Sequence, residues 1–301
     1  MEASIVWDVW RRILREPALG SAIFEPDFVD RAAEYGFTPD QVPVVLAYAT
    51  TPHRTRWFIT NYRFRLVSSF VHAVETGTPM TARLLVNSGR DLRELGERYA
   101  EASGWKDYGP FVYGFCADVL SYLARSELAQ EVPYVRDIIA LEATSVELVS
   151  RLASLPPERW RLPTSGRDAA SPTSGRDAAS PTSGRDERMA LSSSTLRRTP
   201  QGATVTVEHV LVPWLRDKSL LGRTSLEKGP QHFLVYVPTP TSAYKLAGIP
   251  ERGAQLFNAL SEPQTLAALR LALGGELPPE QDDVAIVQRL CDYGVIEAVR
   301  E

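Results

Sequence analysis

Between residues 158 and 199 the chain repeats itself. Pro163-Thr164-Ser165-Gly166-Arg167-Asp168 returns as Pro172 to Asp177 and again as Pro181 to Asp186, with Ala-Ala-Ser between the copies. The unit offers no large apolar side chain for a neighbouring copy to cover, so the nine-residue period does not describe a solenoid. With nothing to bury, the entropy cost of ordering the segment is not offset. A disordered linker is expected at 158–199. The 301 residues should then fold as two domains around it, 1–157 and 200–301.

The first of these reads as helical throughout. Val6, Trp7, Trp10, Ile13 and Leu14 recur at helical spacing and predict an amphipathic helix over 3–15. Pro26 opens a second helix that ends near Gly36, and Thr38-Pro39-Asp40-Gln41 reads as a cap with proline at the first helical position. A long helix runs from Pro52 to about Thr76, broken by Gly77-Thr78-Pro79. Further helices are expected over 80–86, 91–103, 110–126 and 133–153, joined by connections short enough for a bundle.

The second domain changes period. Ala203 to Val210 and His232 to Val237 alternate as strands do, and a short third strand is centred on Tyr244 and Leu246. Leu211 to Pro230 reads as an irregular segment around Trp214. Three short helices follow at 253–260, 265–273 and 282–293, and then a closing strand begins at Tyr293-Gly294-Val295-Ile296. Strands, three helices and a strand are the outline of a winged helix. The fold class expected is therefore mainly α with a small α+β domain, an N-terminal helical bundle followed by a winged-helix-like module.

Such a module grips either DNA with its third helix or a peptide along a strand edge. Net charge is −4, and the chain divides at residue 160 into 17 basic against 21 acidic residues and then 16 against 16. Neither half carries the basic footprint of a nucleic-acid binder. The expected third helix opens with Glu280, Asp282 and Asp283 against Arg289, the wrong sign for phosphates. A peptide added to the third strand is favoured instead, with Tyr244, Lys245 and Leu246 on the strand and Ile286, Arg289 and Leu290 on the helix as its contacts.

Catalytic signatures are missing. The four histidines, His53, His72, His209 and His232, and the two cysteines, Cys116 and Cys291, form no metal-binding spacing. No phosphate-binding glycine loop and no Gly-x-Ser-x-Gly elbow occurs. Two features bear on partners. The stretch from His53 to Arg65 mixes arginines and aromatics, with Arg56 and Arg63 sharing one helical face and Tyr62 between them. Glu142 interrupts the apolar stripe Val135, Ile138, Ile139, Val146 and Val149, and a buried carboxylate needs a partner. Arg56, Tyr62, Arg63 and Glu142 are the candidate docking residues. No apolar run reaches the roughly 18 residues of a membrane span, and the N-terminus is not signal-like, so a cytoplasmic protein is expected.

Several stretches together resemble a known family. They are Asn61-Tyr62-Arg63-Phe64-Arg65 with Ala82-Arg83-Leu84-Leu85, Leu92 to Tyr99, Phe111 to Leu123 with Gly114-Phe115, and Val132-Pro133-Tyr134-Val135-Arg136-Asp137 through Leu141-Glu142. Phe233-Leu234-Val235-Tyr236 and Leu256 to Leu260 complete the set. This pattern resembles the partner proteins of multinuclear non-haem iron oxidative enzymes, which modify ribosomally made peptides. The resemblance implies a non-catalytic subunit that binds the leader of a precursor peptide and presents a residue, often cysteine, to the enzyme. The iron then belongs to that enzyme, and this chain holds no cofactor of its own. The repeats and residues 1–50 depart from the family pattern. The alternatives are a winged-helix transcriptional regulator with a helical sensing domain, and an independent enzyme using Glu142 or a histidine.

Overall fold

The computed structural model describes residues 2–106, 108, 112–156, 194–274 and 283–299. The repeats and the acidic Glu280 and Asp282 lie outside the described residues. The chain divides into two compact units, Met1–Tyr122 and Leu123–Glu301, earlier than the change of composition after residue 157.

Unit 1 is helical. It comprises α1 (Ala3–Arg15), α2 (Pro17–Ala22), α3 (Phe28–Arg31), α4 (Val42–Ala49), α5 (Pro52–Gly77), α6 (Pro79–Asn87), α7 (Leu92–Ala102) and most of α8 (Val112–Arg125). Prolines at the first helical positions of α2, α5 and α6 start those helices where a backbone N–H would lack a partner anyway. The helix expected from Pro26 is α3 plus a single 3₁₀ turn over Ala32–Tyr35, which Gly36 ends in the left-handed region at φ 65°. Asp91 caps α7 by accepting the Arg93 N–H at 2.7 Å. Val9, Ile13, Leu19, Ile23, Phe28, Val45 and Ile59 form the core beneath α1 to α5. The buried Thr55 hydroxyl donates to the Tyr48 carbonyl at 2.8 Å and fastens α4 to α5. Further along α5, Phe70 meets Tyr99 and Phe115.

Unit 2 holds the end of α8, α9 (Leu128–Glu131), α10 (Val135–Ala153), β1 (Thr195–Arg198), β2 (Gly202–His209), α11 (Val212–Arg216), β3 (Lys228–Tyr236), β4 (Lys245–Ile249), α12 (Glu251–Ala259), β5 (Gln264–Thr265), α13 (Leu266–Ala272), α14 (Asp283–Asp292) and β6 (Ile296–Val299). Residues 195–198, expected in the linker, are thus a strand. The strands form two antiparallel three-stranded sheets, ordered β5-β1-β6 and β2-β3-β4.

Alternation assigns each face of the second sheet. Leu234 pairs with Ala247 and Thr204, and Tyr236 pairs with Lys245 and Gly202. These residues share one face, where Leu234 joins Leu256, Phe257, Val287 and Leu290 in a core beneath α12, α13 and α14. Gly202 is needed there, because a Cβ would lie 2.6 Å from Val295 Cγ1. On the other face stand Phe233, Val235, Val207 and Leu246.

Helix α10, expected with the N-terminal helices, packs on β2 and β3. Its Asp137, 6% exposed, accepts the Glu208 N–H at 3.1 Å and lies 2.7 Å from His209 Nδ1. Tyr134, left-handed at φ 64° at the head of α10, accepts the Leu226 N–H on its hydroxyl and sets its ring against His209 and Trp214.

Candidate functional site

Among the described residues β4 hydrogen-bonds in a sheet with β3 alone, so alternate backbone N–H and C=O groups of Lys245–Ile249 point away from the sheet. Lys245 and Gly248 are exposed, and a Cβ built on Gly248 would meet nothing within 4 Å. Helix α12 packs on β3 and β4, and α14 packs on α12. At one end Ile286 touches the space over Gly253, just past β4, at 3.3 Å. At the other, Tyr293 stacks on Tyr236 with centroids 4.8 Å apart, and Tyr236 is the β3 partner of Lys245. Burial, with the neighbouring Tyr293, pushes the Tyr236 hydroxyl pKa up.

The six expected peptide contacts therefore separate. Lys245 lies on the edge strand, Ile286 packs over Gly253 of α12, and Arg289 is exposed on α14. Leu246 faces away from α14, since it pairs with Val235 on the opposite face; Tyr244 lies one residue before the strand. Leu290 is 1% exposed and fills the core, so it has no surface to offer. Ala247, the partner of Leu234, holds the face expected for Leu246. Strand period would have found Ala247 once the Tyr236–Lys245 register was known.

Asp283 also changes role. It is fully buried, with Arg252 Nε at 3.2 Å and Arg270 Nε at 3.0 Å. One carboxylate thus ties α14 to α12 and α13. It adds no negative charge to the helix surface, and the exposed charges on the described part of α14 are Arg289 and Asp292.

The docking residues separate in the same way. Arg56 is exposed, its guanidinium 4.5 Å from the Phe24 ring centroid. Arg63 is half-buried, 4.6 Å from the Trp105 ring centroid, with a buried Nε that has no hydrogen-bond partner among the described residues. Burial lowers its pKa, opposed by Glu101. Tyr62 turns to the other side of α5 and meets Trp10 edge-on at 6.3 Å. Glu142 is fully buried in unit 2 and engaged by its surroundings; a carboxylate with no surface cannot dock a partner.

Tyr62 belongs to a feature that sequence reasoning missed. Between α1 and α5 lies an open trough of about 540 Å³, centred on Trp10, which meets Tyr48 at 5.5 Å and Phe58 at 6.4 Å. Trp7 and Trp57 form its walls, 48% and 58% exposed. The signal lies in Trp7 and Trp10, three apart on α1 and expected only as part of an amphipathic helix, and in Trp57-Phe58 within the arginine–aromatic stretch expected to bear on partners; their meeting across two helices is not legible in either stretch alone.

A smaller polar chain completes the inventory. Tyr99 and Tyr108 hydroxyls lie 2.6 Å apart, Tyr108 donates to Asp118 at 2.8 Å, and Lys106 stands 3.4 Å from the same carboxylate. Among the described residues no group of three or more His, Cys, Asp and Glu is placed to hold a metal ion, and no helix is long and apolar enough to cross a membrane.

By fold and site, then, the chain is a mainly helical protein with a small region of two antiparallel three-stranded sheets, in one of which β4 is an edge strand among the described residues. No protein-family model matches it, and no curated protein matches it.

Proposed function

We propose that this chain is a non-catalytic partner subunit that captures the leader of a ribosomal precursor peptide at β4 and presents the peptide to a multinuclear non-haem iron enzyme. The observation that carries the reading is β4, which among the described residues pairs with β3 alone and has α12 packed on it. A peptide joining β4 as a fourth strand gains main-chain hydrogen bonds, and its alternate side chains would fall on the face of Ala247, toward α12 and Ile286. The order α12, β5, α13, α14, β6 supports a winged-helix-like module as the carrier of that edge. The iron in this reading sits in the enzyme, and the modified residue, often cysteine in the resembling family, is carried by the peptide.

The test is amide hydrogen exchange on the full chain, with and without a synthetic leader made from a short peptide encoded beside this gene. Slowed exchange over Lys245–Ile249 is expected. Binding without protection of β4 sinks the strand-addition reading. A salt-sensitive gel shift with duplex DNA would instead favour the transcriptional regulator.

A further inference from the structure

We propose that the aromatic trough between α1 and α5 is a second docking site, which takes an amphipathic helix of a partner protein that lays acidic side chains along α5. The site lies wholly in unit 1 and stands independently of the peptide reading at β4.

Shape argues for a helix. The trough is walled by Ala3 to Trp10 on α1 and Trp57 to Arg65 on α5, about 10–12 Å at 1.5 Å per residue. That length matches two turns of a guest helix with anchors at i, i+3 or i+4, and i+7. The trough is open along its length, with Trp7 and Trp57 about half exposed, so it suits a rod laid into it better than a small molecule enclosed by it. Aromatic walls and an arginine are also the side chains that dominate binding energy at protein interfaces.

Charge argues for acidic flanks. From residue 52 to 74, α5 carries Arg54, Arg56, Arg63 and Arg65 and no acidic residue, in a chain whose net charge is −4. Arg56 and Arg63 are occupied by Phe24 and Trp105 on the far side of the helix. Arg65 lines the trough and is exposed, and among the described residues it has no ion-pair partner. Arg54, over the Phe58 ring at 5.5 Å, stands at the same rim. On the α1 side Asp8 is held by Arg11 at 3.7 Å and Glu2 is exposed, so the acidic side of the guest belongs against α5. The repeats of this chain, without large apolar residues, are not the guest.

The experiment uses the full chain and a fluorescein-labelled 16-residue helical peptide with Leu and Phe at the anchor positions and Glu on one flank, beside a twin with Lys replacing Glu. Anisotropy should show the Glu peptide binding at least tenfold tighter than its twin. Arg65→Glu should reverse that preference, and Trp57→Ala should weaken the Glu peptide at least tenfold with the circular dichroism spectrum unchanged. Equal binding of the twins, or full affinity in Trp57→Ala, overturns the proposal. So does a concentration-dependent dimer that Trp57→Ala abolishes, which would assign the trough to a second copy. Displacement of the peptide by micromolar naphthylacetate would assign it to a small aromatic acid and overturn it as well. Protection of α1 and α5 amides, with β4 unchanged, separates this site from the first.

Discussion

The buried charges are the residues whose roles differ most from their sequence signature. Asp283, at a helix N-terminus, reads as a surface acid favoured by the helix dipole; in the fold it is the counter-ion of Arg252, whose side chain is only 9% exposed. Removing it strands a buried cation, so Asp283→Asn should cost about 3–5 kcal/mol in urea unfolding. Arg270 is 45% exposed and can turn to water, so Arg270→Ala should cost less than about 1 kcal/mol. Equal losses would mean the three groups act as one network. Alkaline pH provides a second residue-scale prediction. Burial pushes the Cys291 thiol up from 9.0 to about 12 and raises Tyr48, Tyr99, Tyr108 and Tyr236. Each group holds its proton longer when folded than when unfolded, so the stability it contributes is complete below the unfolded pKa of 9.0 or 10.0 and is lost as pH rises above it. The melting temperature should be flat between pH 7 and 8.5 and fall progressively from pH 9 to 11. Cys291 should react slowly with iodoacetamide at pH 8 until denaturant is added.

At the scale of elements, the long helices were legible because proline and glycine punctuate them. The periodicity over 3–15 matches α1, and Pro52 with Gly77 brackets α5. Strands β1 and β5, of four and two residues, are too short to display alternation. Helix α11 was hidden in a segment whose proline and glycine read as irregular. What the pattern could not supply was the identity of the surface that α10 covers. Amphipathicity marks an apolar stripe without naming its partner, and here the partner is β2, which Asp137 reaches at Glu208, 71 residues downstream. The clamp is Asp137, and it can be tested. Asp137→Ala leaves the Glu208 N–H without its acceptor and should cost about 1–3 kcal/mol. Asp137→Asn keeps an acceptor for that N–H and should cost less than the alanine variant. Hydrogen exchange should localise the loss to α10 and β2; a loss spread evenly over unit 2 would mean that the contact does not specifically join them.

At the scale of the whole molecule, the repeat makes its own prediction. The stretch between Pro156 and Ser194 spans 37 residues, and its nine-residue units carry threonine, serine, glycine and alanine with paired Arg-Asp charges that cancel. If the stretch is the linker its composition leads one to expect, it contributes chiefly closure entropy. Deleting one unit, from 37 to 28 residues, changes that entropy by only about 0.25 kcal/mol, on the (3/2)RT ln n dependence. The shortened chain should therefore keep its melting temperature within about 1 °C and bind leader peptide as the parent does. Replacing Arg167, Arg176 and Arg185 with glutamine, at constant length, distinguishes length from chemistry. If deletion is silent and the charge change is costly, the repeats are read by a partner through their arginines. If both are silent, they set only the reach between Pro156 and β1. The second outcome is expected, because a unit without apolar anchors has only its Arg and Asp charges to offer a partner, and a solvent-exposed ion pair contributes about 0–1 kcal/mol.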